Sequence, residues 1–214
     1  MSRRKKILYT LVGILAIVVL GFLAFWGVRR FGANAADDGL SLPYAEKQLL
    51  KINENSRPGT PLEGVNNIVI HYVANPGSSA MANRNYFNSL ADPAANPTGL
   101  GASAHFIVGL KGEVIQCIPV NEVAYANYPR NFDTVSIEVC HPDESGQFSE
   151  VTYESLVRLT ADLLEYFEMD EKAVIRHFDV SGKACPKYYV EHEEAWEEFL
   201  EAVGLALREK GAKE

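Results

Sequence analysis

His177 and Cys185 stand eight residues apart, with Lys183 between them, in the stretch Arg176-His177-Phe178-Asp179-Val180-Ser181-Gly182-Lys183-Ala184-Cys185-Pro186. A neutral imidazole and a thiolate are ligand types that zinc takes readily. Lys183 would stand beside such a metal as a point cation. One His and one Cys at this spacing form a loose pattern, so the case depends on matching chemistry elsewhere. His71 is a candidate third ligand. Taken alone, His71 reads first as a hydrogen-bonded core histidine.

These residues need elements to hold them. Ala173-Val174-Ile175 is an apolar, partly β-branched run that predicts a buried strand, with His177 where the chain enters a loop. Ser181-Gly182 marks a turn able to fold Cys185 back toward His177. Asn66-Asn67-Ile68-Val69-Ile70-His71-Tyr72 predicts a strand covered on both faces and closed by His71. Ser103–Gly109 and Glu113–Ile118 flank Leu110-Lys111-Gly112, a hairpin pattern. Val135-Ser136-Ile137-Glu138-Val139 predicts a further strand, in which Glu138 points to the face opposite Ile137 and Val139. If that face meets solvent, Glu138 is an ordinary surface acid; if it lines a cleft, Glu138 is a candidate base.

The remaining elements are helical or irregular. Leu42 to Ile52 reads as a short helix, and Asn83 to Leu90 as another with Tyr86, Phe87 and Leu90 on one face. The rest of residues 74–102 reads as a long loop near the candidate site. Ser149 caps a predicted helix running to about Glu168, with a stripe of Leu156, Leu159, Leu163 and Phe167. A last helix over 189–207 buries Trp196, Leu200, Val203 and Leu207, and its glutamates form a solvated face. Cys117 and Cys140 each close an apolar run and read as buried thiols, although an exported chain could pair them.

Residues 1–30 stand apart. They carry six Lys/Arg and no Asp/Glu, and Ile7 to Val28 is uncharged. That length suits a membrane-spanning helix, with Phe25 and Trp26 near its far end. The larger basic cluster leads, which predicts a cytoplasmic N-terminus and an extracellular remainder. The alternative is a secreted protein released by cleavage near Ala33-Asn34-Ala35, for which the apolar run is long. The expected organisation is a cytoplasmic stub at 1–6, an anchor at 7–28, a linker at 29–60, a catalytic domain at 61–207 and a tail at 208–214. Beyond residue 30, 14 of the 20 basic residues face all 28 acidic ones, a formal charge of −14. Such a surface repels nucleic acid, so a DNA- or RNA-binding role is set aside.

From about Asn67 to Phe199 the chain resembles the zinc-dependent N-acetylmuramoyl-L-alanine amidases, a superfamily that includes the peptidoglycan recognition proteins. Four segments carry the likeness. Ile68-Val69-Ile70-His71 resembles a first strand ending in a zinc-binding His. Ser103-Ala104-His105-Phe106 with its hairpin resembles S-A-H-[YF]. Asn131 through Glu138 resembles N-x-x-S-I-G-I-E, and His177 through Pro186 resembles H-x5-K-x-[DC]-P. The resemblance implies an α/β fold with a mainly mixed sheet flanked by helices. It implies Zn²⁺ on His71, His177 and Cys185, catalysis by Glu138 and Lys183, and substrate contacts from Asn131 and His105, with orientation of the site or a structural role standing as alternatives for His105. It further implies muropeptides as substrate, a monomer, and hydrolysis of the amide between N-acetylmuramic acid and L-alanine. The alternative is a membrane-anchored module that binds peptidoglycan without cleaving it. Two departures stand out: Ala104 replaces a Tyr that Cys-type relatives use, and Ala124-Tyr125-Ala126-Asn127-Tyr128 replaces A-W-H-A-G.

Overall fold

Six strands make one sheet in the computed structural model, which describes residues 38–212. In chain order they are β1 (Ala45–Lys47), β2 (Asn67–Ile70), β3 (Phe106–Val108), β4 (Val114–Gln116), β5 (Thr134–Val139) and β6 (Val174–Arg176). Their spatial order is β1-β4-β3-β5-β2-β6. Only β3 and β4, joined by the expected hairpin, pair antiparallel; every other pair is parallel, so the sheet is mixed. Among the described residues, five α-helices accompany it: α1 (Ala80–Ser89), α2 (Glu150–Phe167), α3 (His177–Ser181), α4 (Lys187–Glu191) and α5 (Glu193–Gly211).

Strand parity divides the side chains. Ile68, Ile70, Phe106, Val108, Val135 and Ile137 are buried in one cluster with Leu156, Leu159 and Leu163 of α2 and Phe199 and Val203 of α5. Ser149 starts α2 by accepting the Thr152 N–H on its side chain. Each aliphatic side chain buried in this way contributes roughly 1.5–3 kcal/mol, so this face holds the fold together. The alternate residues Ile107, Ile115, Cys117 and Cys140 face the other way and pack with Ala80 and Phe87 of α1. That second face carries the polar side chains of the candidate site.

Several expectations change. Residues 42–52 form no helix among the described residues; their centre is β1, an edge strand paired with β4. The linker expected over 29–60 does not cover its last part, because the chain from Leu40 on belongs to the same unit as the sheet. Leu50 is buried there, and Arg57 is paired with Glu122 inside the protein. Helix α1 begins at Ala80, earlier than Asn83, and Tyr86 is 49% exposed while Phe87 and Leu90 are buried. The last helix is broken at His192 into α4 and α5, and α5 continues through Gly211 where a frayed tail was expected. Cys117 and Cys140 are free, buried thiols, as expected. The anchor at 7–28 lies outside the described residues, among which no helix is long and apolar enough to cross a membrane.

Candidate metal centre

Register alone brings the key side chains into a row. Ile70 pairs with Ile137 of β5 on one side and with Arg176 of β6 on the other. One residue further on, His71 therefore lies between Glu138 and His177, and the His71 N–H bonds the Ile137 carbonyl at 2.9 Å to hold that register. Parity sends all three side chains to the face opposite Ile70 and Ile137. The row lies at the carboxyl ends of parallel strands, where α/β sheets commonly bind ligands.

Cys185 joins the row through a short fold-back. His177 is the first residue of α3, a helical turn where the sequence predicts a loop. Gly182 ends that turn at φ +75°, a conformation favourable to glycine, and the Phe178 N–H closes on the Cys185 carbonyl at 2.9 Å. Arg176 secures the other side. Its guanidinium holds Asp179 at 3.0 Å and Glu193 at 2.6 Å, tying the base of α3 to α5.

The ligand atoms of His71, His177 and Cys185 lie within 4.8 Å of one another. His71 Nδ1 is 3.7 Å from Cys185 Sγ and 4.0 Å from Glu138 Oε1. An N···S edge of about 3.6 Å is what a tetrahedral zinc site requires from ordinary Zn–N and Zn–S bonds. His177 Nδ1 and Glu138 Oε2 are buried without a hydrogen-bond partner. Such orphaned atoms cost roughly 1–3 kcal/mol each unless something satisfies them. Two nitrogens, one thiol and unsatisfied lone pairs fit a zinc ion.

A family profile described as N-acetylmuramoyl-L-alanine amidase matches residues 60–188, which include every member of this row. The chain belongs to that family. It is 32% identical over 176 residues to the N-acetylmuramoyl-L-alanine amidase CwlL of Bacillus licheniformis, covering 77% of this chain and 48% of that protein. It is 31% identical over 182 residues to the amidase BlyA of Bacillus subtilis, covering 75% of this chain and 47% of that one. The chain thus spans about half the length of these curated relatives. Among solved structures, the catalytic domain of XlyA superposes with a TM-score of 0.61 at 25% identity, over 75% of this chain and 99% of that domain.

Electrostatics suit a metal site in this family member. Burial, and then the neighbouring His177 charge, lower His71 to about 3, so its imidazole is neutral at pH 7 as a ligand must be. Burial also lowers His177. Burial, reinforced by Glu138, pushes the Cys185 thiol up to about 12, while the Tyr72 backbone N–H bonds the sulfur and acts in the opposite direction. Burial pushes Glu138 up to about 8, with the Lys183 charge opposing. A divalent cation on the three ligands would add positive charge beside Glu138 and restore its carboxylate form. Lys183 is exposed, yet its charge acts on His71, His177, Glu138 and Cys185 alike.

Two clefts flank the row. One, of about 340 Å³, lies between Val73, Asn83, Tyr86, Phe87 and Glu138. The other, of about 510 Å³, lies between Asn55, Gly101, Tyr125, Tyr128, Asn131 and His177. Asn131 therefore borders a cleft, but its Oδ1 already accepts the Asn127 N–H at 2.7 Å and the Ala126 N–H at 3.2 Å. His105 is not available to substrate. It is fully buried; Nδ1 accepts the Ser136 N–H at 3.0 Å and Nε2 donates to the Glu122 carbonyl at 2.9 Å. Of the roles open to His105, the substrate contact does not hold and the structural one does. Asn127, noted in the sequence only as part of a departing segment, has no role assigned there: its Oδ1 lies 2.6 Å from His71 Nε2.

Proposed function

We propose that this chain is a zinc-dependent N-acetylmuramoyl-L-alanine amidase that hydrolyses the amide between N-acetylmuramic acid and L-alanine in peptidoglycan. The observation that carries this reading is the convergence of His71, His177 and Cys185 within 4.8 Å, with Glu138 Oε1 4.0 Å from His71. His71, His177 and Cys185 would hold the metal. When bound, zinc supplies a Lewis acid and lowers the pKa of a water toward about 7.

The chain's own residues complete the chemistry. Glu138 takes the proton of the water as its oxygen attacks the lactyl carbonyl carbon. The carbonyl electron pair moves onto oxygen, and Lys183 supplies positive charge for that developing oxyanion. When the C–N bond breaks, Glu138 returns the proton to the nitrogen of the departing L-alanine. The buried setting of Glu138, with one oxygen unpartnered, suits a group that must exchange a proton without competition from neighbouring donors. Asn131 and the cleft it borders support binding of the muropeptide.

The reading extends to the setting of the reaction. The apolar segment at 7–28 and its flanking charges support a single-pass anchor that leaves a monomeric catalytic domain outside the cell, facing the wall. Secretion after cleavage is the alternative.

The test is metal content and muropeptide hydrolysis by the purified chain, with chelator and zinc add-back. One zinc per chain, and release of stem peptides beginning with L-alanine that chelator stops and zinc restores, is the expected result. Bound zinc with intact muropeptides would favour a binding module. A folded chain that takes up no zinc would overturn the site.

A further inference from the structure

The side chain of Asn127 sits in a hydrogen-bond chain whose direction is fixed at its far end. The Arg130 carbonyl can only accept, so the Thr134 hydroxyl donates to it, at 2.6 Å. Thr134 Oγ1 must then accept from Asn127, and it lies 2.8 Å from Nδ2. That sets the amide orientation and leaves Oδ1, an acceptor, 2.6 Å from His71 Nε2. An acceptor there requires a proton on Nε2. A neutral imidazole with Nε2–H keeps its lone pair on Nδ1, the nitrogen that faces Cys185 Sγ at 3.7 Å. Asn127 is itself anchored, because its backbone N–H donates to Asn131 Oδ1 at 2.7 Å. Both Asn127 and Thr134 are buried, at 1% exposure each, so water does not compete for these bonds.

We propose that Asn127 is a positioning residue that locks His71 in its Nε2–H tautomer and thereby presents Nδ1 to the metal. The inference rests on the zinc-site reading above and adds to it the residue that selects the ligand atom. Partners of this kind fix ring orientation and typically change metal affinity by about 10–100-fold. Asn127 touches neither substrate nor reacting atoms; it acts through His71.

The test uses the full chain, stripped of metal and labelled with ¹⁵N at histidine. The His71 ring should show the Nε2–H pattern of a neutral imidazole, assigned by its loss in His71→Ala. Zinc dissociation constants are then measured by chelator competition. Asn127→Leu should weaken zinc binding by about 10–100-fold and mix the tautomers of the metal-free ring. Asn127→Asp, which keeps an acceptor toward Nε2, should hold both the tautomer and an affinity within about threefold of the parent, well inside that range. An Nδ1–H pattern in the parent chain would overturn the proposal. Unchanged zinc affinity in Asn127→Leu would do the same, as would an Asn127→Asp chain as weak as Asn127→Leu. The ring measurement on the parent chain needs no Asn127 variant, so it still decides if Asn127→Leu does not fold. A parent chain that shows Nε2–H but binds no zinc would count against the metal site and not against the role of Asn127.

Discussion

His105 and His71 lie on the same face of one sheet, both shielded from solvent, and they are embedded in opposite kinds of network. Around His105 every connection is closed. Ser136 and the Glu122 carbonyl take both ring nitrogens, the Glu122 carboxylate is held by Arg57 at 2.7 and 2.8 Å, and Arg57 also bonds the Leu50 carbonyl at 2.9 Å. Around His71 the pattern stops halfway. Asn127 takes Nε2, while Nδ1 faces a thiol and a carboxylate, and Glu138 and His177 each keep a buried atom without a partner. A network that closes fully around one buried histidine and leaves unpartnered atoms on the neighbours of the other fits stability in the first case and, on the function proposed above, binding in the second. Residue type and burial alone do not separate the two cases; the accounting of hydrogen-bond partners does.

The sharpest way to break this comparison is to delete each ring in turn. His71→Ala should keep the fold, lose stoichiometric zinc, and lower amidase turnover by more than about 10³-fold. His105→Leu should do the reverse. It strands the Ser136 N–H and the Glu122 carbonyl, so unfolding free energy should fall by about 3 kcal/mol. Activity per folded molecule should stay within about threefold, because no donor that acts on the transition state is removed. Urea titration, zinc content and turnover on the same samples check both halves. A His105→Leu chain of full stability and no activity would reverse the assignment.

Within the unfinished network, roles can be separated by what survives. Glu138→Gln keeps the shape and removes the base, so zinc should remain while turnover drops by about 10³-fold, within the usual range for general acid–base catalysis. Lys183→Met removes an exposed charge that contacts no ligand atom in the arrangement described. It should lower kcat by about 10²-fold, as loss of one oxyanion donor does, with zinc affinity nearly unchanged. Equal losses of zinc in both variants would show that these residues build the site and do not act in it.

How far the sequence reached depends on how local each signal is. Strands β2 and β5, the β3–β4 hairpin and the Ser149 cap announce themselves through apolar runs, turn residues and capping chemistry within a few positions. The candidate trio of His71, His177 and Cys185 was legible because His and Cys carry their chemistry in their type. Strand β1 was misread because three residues, Ala45–Lys47, hold no period, and their state is set by pairing with β4 far along the chain. Glu138 remained ambiguous because parity gives it a face, but only the placement of β5 between β3 and β2 says that this face is a cleft. His105 was carried to the substrate by resemblance, whereas its partners Ser136 and Glu122 come from other segments. Asn127 had no local signal: it acts on a ring 56 positions away.

The gentlest probe of the unfinished network is pH, applied to metal-free protein. Burial holds Glu138 up to about 8 against an ordinary 4.5. A raised folded pKa favours the native state while the group is protonated. Its contribution is therefore complete below about 4.5 and is lost as pH climbs through about 8. His71 has the opposite sign. Burial and the His177 charge lower it from 6.5 to about 3, so its contribution is complete above about 6.5 and is lost as pH falls toward 3. From pH 6.5 to 8, above the His71 window, Glu138 is the member of this pair still changing. Metal-free protein should lose about 1–2 kcal/mol of unfolding free energy over that interval, and the Glu138→Gln chain should lose correspondingly less. The difference between the two slopes isolates the carboxyl from every other titrating group. Zinc-loaded protein should show little of it, because the added positive charge holds Glu138 ionised throughout. Identical slopes in the parent and Glu138→Gln chains would mean that Glu138 is solvated in the native state, and the contrast with the closed network around His105 would then rest on the ligands alone.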